Sequence, residues 1–473
     1  MGRMVISSAS LQQLRGIVGP TGYLDQPRDI EPFTVDHRKL YKGATPLVLR
    51  PNSTEQVSAI LRLCHEAGIG VVPVGGNTSY CGGATPSEDG SQVVVSMERM
   101  RRIRTVDPLN FTMIAEAGCV LAQVQAAATE VDRLFPLSLG SEGSCQLGGN
   151  LSTNAGGTAV LRYGMMRDLV LGLEVVLPDG RVLDGLSGLR KDNTGYDLRN
   201  LFIGAEGTLG IITAAACKLF SRPRCVITAL LAVAEPQGAV ALLSRLRSAS
   251  GDAVATFELI PRAALDLVLR HISQTGDPFD QPSGWYVLLE VTGGNDAGLR
   301  EMVEGELSQA IEQGEALDAV VAQSEAQREL FWRLRETIPE AQRHEGASIK
   351  HDVSVTTSKL PRFIIEASAA VLDIAPTARI ISYGHLGDGN LHFNLSQPVD
   401  GDAAAFQALA PQINRTVHDI IARYGGSFSA EHGIGRLKRD ELQRYKKPVA
   451  LDVMRAIKQA VDPRGIMNPG KVL

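Results

Sequence analysis

The chain has 473 residues, with 47 Lys and Arg against 52 Asp and Glu and a formal net charge of −5. That length exceeds one compact core and sets two or three domains as the expectation, and the slight acid excess gives no reason to expect nucleic acid as a partner. Ordinary apolar content, few aromatics and 48 glycines suit a large α/β enzyme with many tight turns and exclude a disordered or fibrous chain.

Residues 1–45 read as an N-terminal arm with a short helix over 8–17. The start Met1-Gly2 lacks the hydroxyl residue of a myristoylation signal, because Ile6 stands there. No apolar core of secretory type follows. No apolar run reaches the roughly 18 residues of a membrane-crossing helix; the longest, over 226–234, is strand-length. The cysteines at 64, 81, 119, 145, 217 and 225 form no CxxC pair and read as reduced thiols. A cytoplasmic protein follows, with peripheral membrane contact left open.

From Pro46 the pattern becomes strand, helix, strand. Residues 47–49 read as a strand, Asn52-Ser-Thr-Glu55 as a helix start, and Val57, Ile60, Leu61 and Cys64 as an apolar stripe that ends at Gly68. A strand over 71–74 then delivers Val74 into Gly75-Gly76-Asn77-Thr78, followed by Gly82-Gly83. A glycine loop at a strand's carboxyl end is a common place for an anionic ligand. It is neither GxGxxG nor a phosphoryl-transfer loop with its lysine. The basic run Arg99-Met-Arg-Arg-Ile-Arg104 reads as a solvated turn. Strands over 92–96 and 111–116 and a helix over 121–134 follow.

The loop 136–157 holds six glycines and two asparagines within Gly140–Gly157. Such a stretch cannot build a core; it lets backbone lie flat against a ligand with N–H groups free to donate. A hairpin over 170–183 turns at Pro178-Asp-Gly180, and a third glycine turn, Gly204-Ala-Glu206-Gly207, leads into a strand at Ile211-Ile212. Three glycine loops within 140 residues could line one extended ligand. Past residue 222 the glycine loops stop, and strands alternate with helices. The strands fall over 226–234, 255–260, 286–292, 348–354 and 378–383, and a helix is expected over 324–343. A sheet covered by helices on one face is expected there. Residues 402–473 read as mostly helical.

The chemistry gathers in Gly384-His-Leu-Gly-Asp-Gly-Asn-Leu-His392. Asp388-Gly389 is the preferred centre of a two-residue hairpin turn. A turn centred there sets His385 opposite His392, with Tyr383 and Asn394 further out on the same face. Nearby Ser429-Ala-Glu-His-Gly433 adds Glu431 and His432. Two imidazoles and a carboxylate suffice for a divalent metal with open positions. One assignment makes Glu431 a ligand and His432 a general base. Arg335 and Lys350 are either solvated charges or the means of recognising a carboxylate substrate.

These motifs, with Gly143-Ser144-Cys-Gln-Leu-Gly148-Gly149-Asn150, Thr153-Asn154-Ala-Gly156 and Asn468-Pro-Gly-Lys471, resemble the FAD-linked D-2-hydroxyacid dehydrogenases of the vanillyl-alcohol-oxidase-type flavoprotein fold, over nearly the whole chain. The resemblance implies an α+β architecture. It has a FAD-binding domain over 1–222, a substrate or cap domain over 223–425 with an antiparallel sheet covered by helices, and a helical C-terminal segment over 426–473 that returns to the flavin. It implies non-covalent FAD held by Val74 to Thr78, Gly82, Gly83, Pro136, Ser138, Gly140, Gly143, Ser144, Gly148, Gly149, Asn150, Thr153, Asn154, Gly156, Glu206, Gly207, Ile211, Ile212 and Asn468. It further implies Zn2+ or Mn2+ on His385, His392 and Glu431, with His432 as base. Asn394 would stand near the substrate, and Arg335 and Lys350 at its far carboxylate. Where some hydroxyglutarate enzymes carry a threonine one turn after this arginine, Pro339 stands here and supplies no hydroxyl.

The implied reaction is oxidation of a D-2-hydroxy acid, D-2-hydroxyglutarate foremost, to the 2-oxo acid. D-lactate or glycolate is the alternative within the family. Electrons would pass to a quinone or an electron-transfer flavoprotein, and a homodimer is left open. Two rivals predict otherwise: a zinc hydrolase would be colourless, and a non-catalytic nucleotide-binding module would have no turnover to lose.

Overall fold

The computed structural model describes residues 6–473, so the reading of Met1-Gly2 lies outside the described residues. The chain forms two compact units. The first takes the chain up to Gly157, then Gly164–Arg222 and Glu431–Leu473; the second takes Thr158–Tyr163 and Pro223–Ala430.

In the first unit the strand–helix–strand pattern folds as read. Ser53 caps the helix Thr54–Ala67 by accepting the Gln56 N–H, and Gly68 ends it at φ 68°, a conformation only glycine adopts without strain. Val57, Ile60, Leu61 and Cys64 are buried without exposure. The strands Val48–Leu49 and Gly70–Val74 both run parallel to Gln92–Ser96, and Tyr23–Leu24 closes the far edge. A second sheet is antiparallel, in the order Ile103–Asp107, Thr112–Glu116, Ile211–Lys218, Val170–Val176, Val182–Asp184. The basic run begins as the expected turn, with Arg101 and Arg102 exposed, and then enters an edge strand. Arg102 and Arg104 flank the start of an edge strand and both pair with the fully buried Glu116, a charge that cannot stay inside unpaired. The expected helix over 121–134 stops at Glu130; Asp132 turns at φ 56°, and Arg133–Leu134 pairs with Phe220–Ser221.

Residues near the carboxyl end rejoin this unit. Asp462 accepts the N–H groups of Ile466 and Met467, and Met467 bridges Val71 in parallel.

The second unit holds the antiparallel sheet Val254–Pro261, Trp285–Gly293, Cys225–Val233, Asp318–Val321. Helices cover both of its faces, not one. Ile227, Ala229 and Leu231 pack with the helices Pro236–Ser250 and Leu299–Glu312. Leu230 and Ala232 pack with Arg262–His271 and Glu325–Glu336. Continuous apolar strands, as here, are those buried on both sides. The helix expected over 324–343 is two helices, Glu325–Glu336 and Ile338–Arg343. Pro339 has no N–H to give the carbonyl of Arg335, and its ring clashes there, so the first helix ends. The strand expected over 348–354 is likewise split, into Ser348–Ile349 and Asp352–Ser354. Both pair with Asn390–Ser396, as does Arg379–Tyr383.

Candidate active site

In the first unit the glycine loops converge. A Cβ on Gly76 would stand 2.3 Å from the Ser144 carbonyl oxygen, and one on Gly75 3.5 Å from the Gly149 Cα. Gly148 is pressed on Ala117, and Gly207 on Pro73. By contrast Gly140, Gly143 and Gly149 have nothing within 4 Å of a Cβ position, which leaves their backbone open. Asn468, at φ 44°, donates its side-chain N–H groups to the carbonyls of Gly83 (3.0 Å) and Glu206 (2.8 Å). So the turns at 83, 206 and 468 form one knot.

Several expected contacts are spent inside the unit. Asn77 donates to the Pro32 and Val35 carbonyls, and the Thr153 hydroxyl to its own helix at Gly149. Asn154 accepts from Arg167 and Asn150 donates to the Cys145 sulfur. Pro136 is buried, Ser138 abuts Gly157, and Gly156 is buried in the loop. Ile211 and Ile212 pair with Val176 and Val175 in the sheet. Glu206 takes the N–H groups of Ile434 and Gly435, each at 2.7 Å, on its two oxygens. Burial pushes that carboxyl up, against those two donors. Glu206 therefore shapes the turn that follows Glu431 and His432. The His432 ring lies edge-on to Tyr80, 4.7 Å between centroids.

In the second unit the imidazoles meet, but by a different register. His392 opposes Tyr383 across the strands and Asp352 on its other side, while His385 lies outside the ladder, before the 3-10 turn Leu386–Asp388. The connection is six residues, 384–389, not two. Ring centroids of His385 and His392 are still 5.6 Å apart. Asn394 opposes Ile381, not Tyr383, and donates to Gln342, which in turn donates to the Ser396 hydroxyl. Arg335 is 7% exposed and sits 4.9 Å over the Tyr383 ring. Lys350 is exposed, at the break between the two short strands. Ala430 donates to the Asp352 carbonyl at 3.3 Å.

The residue that sequence reasoning missed is Glu258. It has no exposed surface, accepts from Arg335 Nε at 2.6 Å and meets His385 Nδ1 at 2.5 Å. Burial alone would raise its carboxyl, but the charges of Arg335 and His385 prevail and hold it at about 2. A signal existed: Glu258 is the one charge in the fully buried strand Val254–Pro261.

Two family descriptions match the chain: "FAD linked oxidases, C-terminal domain" over residues 222–472 and "FAD binding domain" over 45–185. The D-2-hydroxyglutarate dehydrogenase of Stutzerimonas stutzeri (strain A1501) is 36% identical over 467 residues, covering 98% of each chain. The mitochondrial D-2-hydroxyglutarate dehydrogenase of Arabidopsis thaliana is 37% identical over 468 residues, 99% of this chain and 82% of that one. The chain belongs to the FAD-linked D-2-hydroxyacid dehydrogenase family. It is an FAD-dependent dehydrogenase acting on a small hydroxy acid, which removes the hydrolase and the non-catalytic rivals. The fold of this dehydrogenase is also that of solved structures: p-cresol methylhydroxylase aligns at TM-score 0.77 with 16% identity, over 98% of this chain and 96% of that one. A 4-ethylphenol oxidase from Gulosibacter chungangensis aligns at 0.71 with 17%, over 100% and 98%.

The first unit's residues fit FAD. The open backbone at 140, 143 and 149 supplies donors, and Gln146 Oε1 and Asn468 Oδ1 are buried with no partner. Orphaned buried acceptors beside a glycine cradle are what a polar ligand satisfies. The second unit's imidazoles suit a borderline cation: Glu258 takes Nδ1 of His385, so Nε2 is the ring nitrogen a cation would use. Among the described residues no helix is long and apolar enough to cross a membrane.

Proposed function

We propose that this dehydrogenase oxidises D-2-hydroxyglutarate at C2 with the aid of a divalent metal, zinc or manganese. The observation that carries the reading is the convergence of His385 and His392 in one unit with the buried Arg335. His385, His392 and Glu431 hold the metal. Glu431 is one peptide bond past Ala430, which is bonded to Asp352, the strand partner of His392. A divalent metal held there would supply a lowered pKa for the substrate hydroxyl, and FAD held by the first unit's glycine loops would supply the hydride acceptor for C2. His432 takes the hydroxyl proton on an imidazole nitrogen, leaving the 2-oxo acid. Asn394, its amide oriented by Gln342, borders the substrate. Arg335 and Lys350 answer the far carboxylate.

FAD is held without a covalent bond, since the loop 75–78 has no histidine and burial pushes the Cys145 thiol up. Electrons leave to a quinone or an electron-transfer flavoprotein. The six buried cysteines form no disulfide among the described residues and fit a reducing compartment such as the cytoplasm. D-lactate is the second reading, favoured by Pro339, which adds no hydroxyl beside Arg335.

The test is anaerobic bleaching of the yellow protein by D-2-hydroxyglutarate, D-malate, D-lactate and glycolate, with the L isomers as controls. Bleaching by D-2-hydroxyglutarate at the lowest concentration is expected. Equal bleaching by an L acid sinks the stereochemical assignment, and a preference for D-lactate sinks the substrate.

A further inference from the structure

We infer that Glu258 is a positioning residue that couples metal affinity to substrate recognition, because one carboxylate holds both His385 and Arg335. The inference rests on the metal-assisted reading above. Glu258 stands in a strand whose eight residues are all buried. Its neighbour Leu259 exchanges both backbone hydrogen bonds with Gly384, at 2.8 and 3.0 Å, so the residue before His385 is already locked to this strand. The side chain completes the lock. Oε1 meets His385 Nδ1 at 2.5 Å and Oε2 accepts Arg335 Nε at 2.6 Å.

Two consequences follow from the chemistry of that bridge. A carboxylate on Nδ1 fixes the imidazole tautomer and raises the basicity of Nε2, and losing such a partner commonly weakens metal binding about 10–100-fold. The same carboxylate is shared with a guanidinium that competes for its charge. Removing the guanidinium gives His385 the whole of it and tightens the metal. By reciprocity, metal bound at His385 alters the hold on Arg335, and with it the affinity for a second carboxylate. Glutamine is nearly the same shape but cannot serve both partners: its amide N–H2 would face the Nε–H of Arg335 or the Nδ1–H of His385.

The experiment uses the FAD-loaded enzyme and measures four things: flavin per chain, bound zinc or manganese by elemental analysis against a competing chelator, thermal melting, and KM and kcat for D-2-hydroxyglutarate and D-lactate. Glu258→Gln is expected to keep its flavin, to lose metal affinity by about 10–100-fold, and to raise KM for hydroxyglutarate more than for lactate. Arg335→Gln is expected to tighten metal binding severalfold while it raises the hydroxyglutarate KM, a pairing that mere loosening of the fold cannot produce. Unchanged metal affinity in either variant at full flavin content overturns the inference. If Glu258→Gln loses its flavin, Glu258→Asp replaces it. Asp keeps the charge but is one methylene too short to reach both partners, and wild-type metal affinity in that variant overturns the inference equally. A wild-type enzyme that holds no metal and is untouched by chelators sinks the metal reading itself, and the inference with it.

Discussion

The two units arrange their polar groups in opposite ways. The first clears side chains away: Gly76 and Gly148 admit backbone where a Cβ would collide, and Gly140, Gly143 and Gly149 expose it. The second crowds charged side chains together and neutralises them, with Glu258 shared between Arg335 and His385. The cradle's tight glycines, Gly76 and Gly148, leave no room for an added Cβ. The side-chain cluster fails when one partner loses its charge.

That contrast can be broken at several points. His392→Ala should leave the yellow colour intact and cut turnover on the order of 10³-fold, the loss expected when a group that stabilises developing charge goes; loss of flavin in this variant would show that the units do not divide the work as described. Gly76→Val should do the reverse. Its side chain meets the Ser144 carbonyl, so a colourless protein, less stable by about 1–3 kcal/mol, is expected in absorbance and melting experiments. Arg335→Ala should harm hydroxyglutarate turnover about tenfold more than lactate turnover. Equal harm would remove the far-carboxylate role.

The smallest effect expected is on acid stability. Arg379 and His271 hydrogen-bond Glu345 and outweigh its burial, holding the carboxyl at about 2. A depressed carboxyl contributes stability above its unfolded pKa of about 4.3 and loses it as pH falls toward 2. Glu345→Gln should therefore lower the melting temperature at pH 6 by a shift worth on the order of 2 kcal/mol, and the difference should vanish near pH 2. A constant difference across that range would mean that packing, not charge, is what Glu345 supplies.

The contrast also explains what the sequence disclosed. The cradle was legible because a glycine-rich loop is a local feature: residues 75–83 and 140–157 announce themselves by composition. The strand–helix–strand unit was legible from the stripe Val57, Ile60, Leu61, Cys64. The charged cluster was only half legible. The convergence of His385 and His392 came through although the register did not, because Gly384 pairs with Leu259 and pulls the first histidine out of the ladder. Glu258 was missed because it meets His385 across 127 positions of chain, a pairing with no local trace. The split at Pro339 was written in the residue itself and overridden by the helical periodicity on either side.

The bridge between Val71 and Met467 has a consequence for biogenesis. A ribosome finishes the strand Gly70–Val74 long before it supplies Ile466, Met467 and Asn468, and the whole second unit emerges in the interval. That unit is contiguous apart from Thr158–Tyr163, so it can fold while its elder half still waits for a last segment. Flavin loading is thereby expected after synthesis is complete, and a nascent chain stalled before residue 466 should carry no colour.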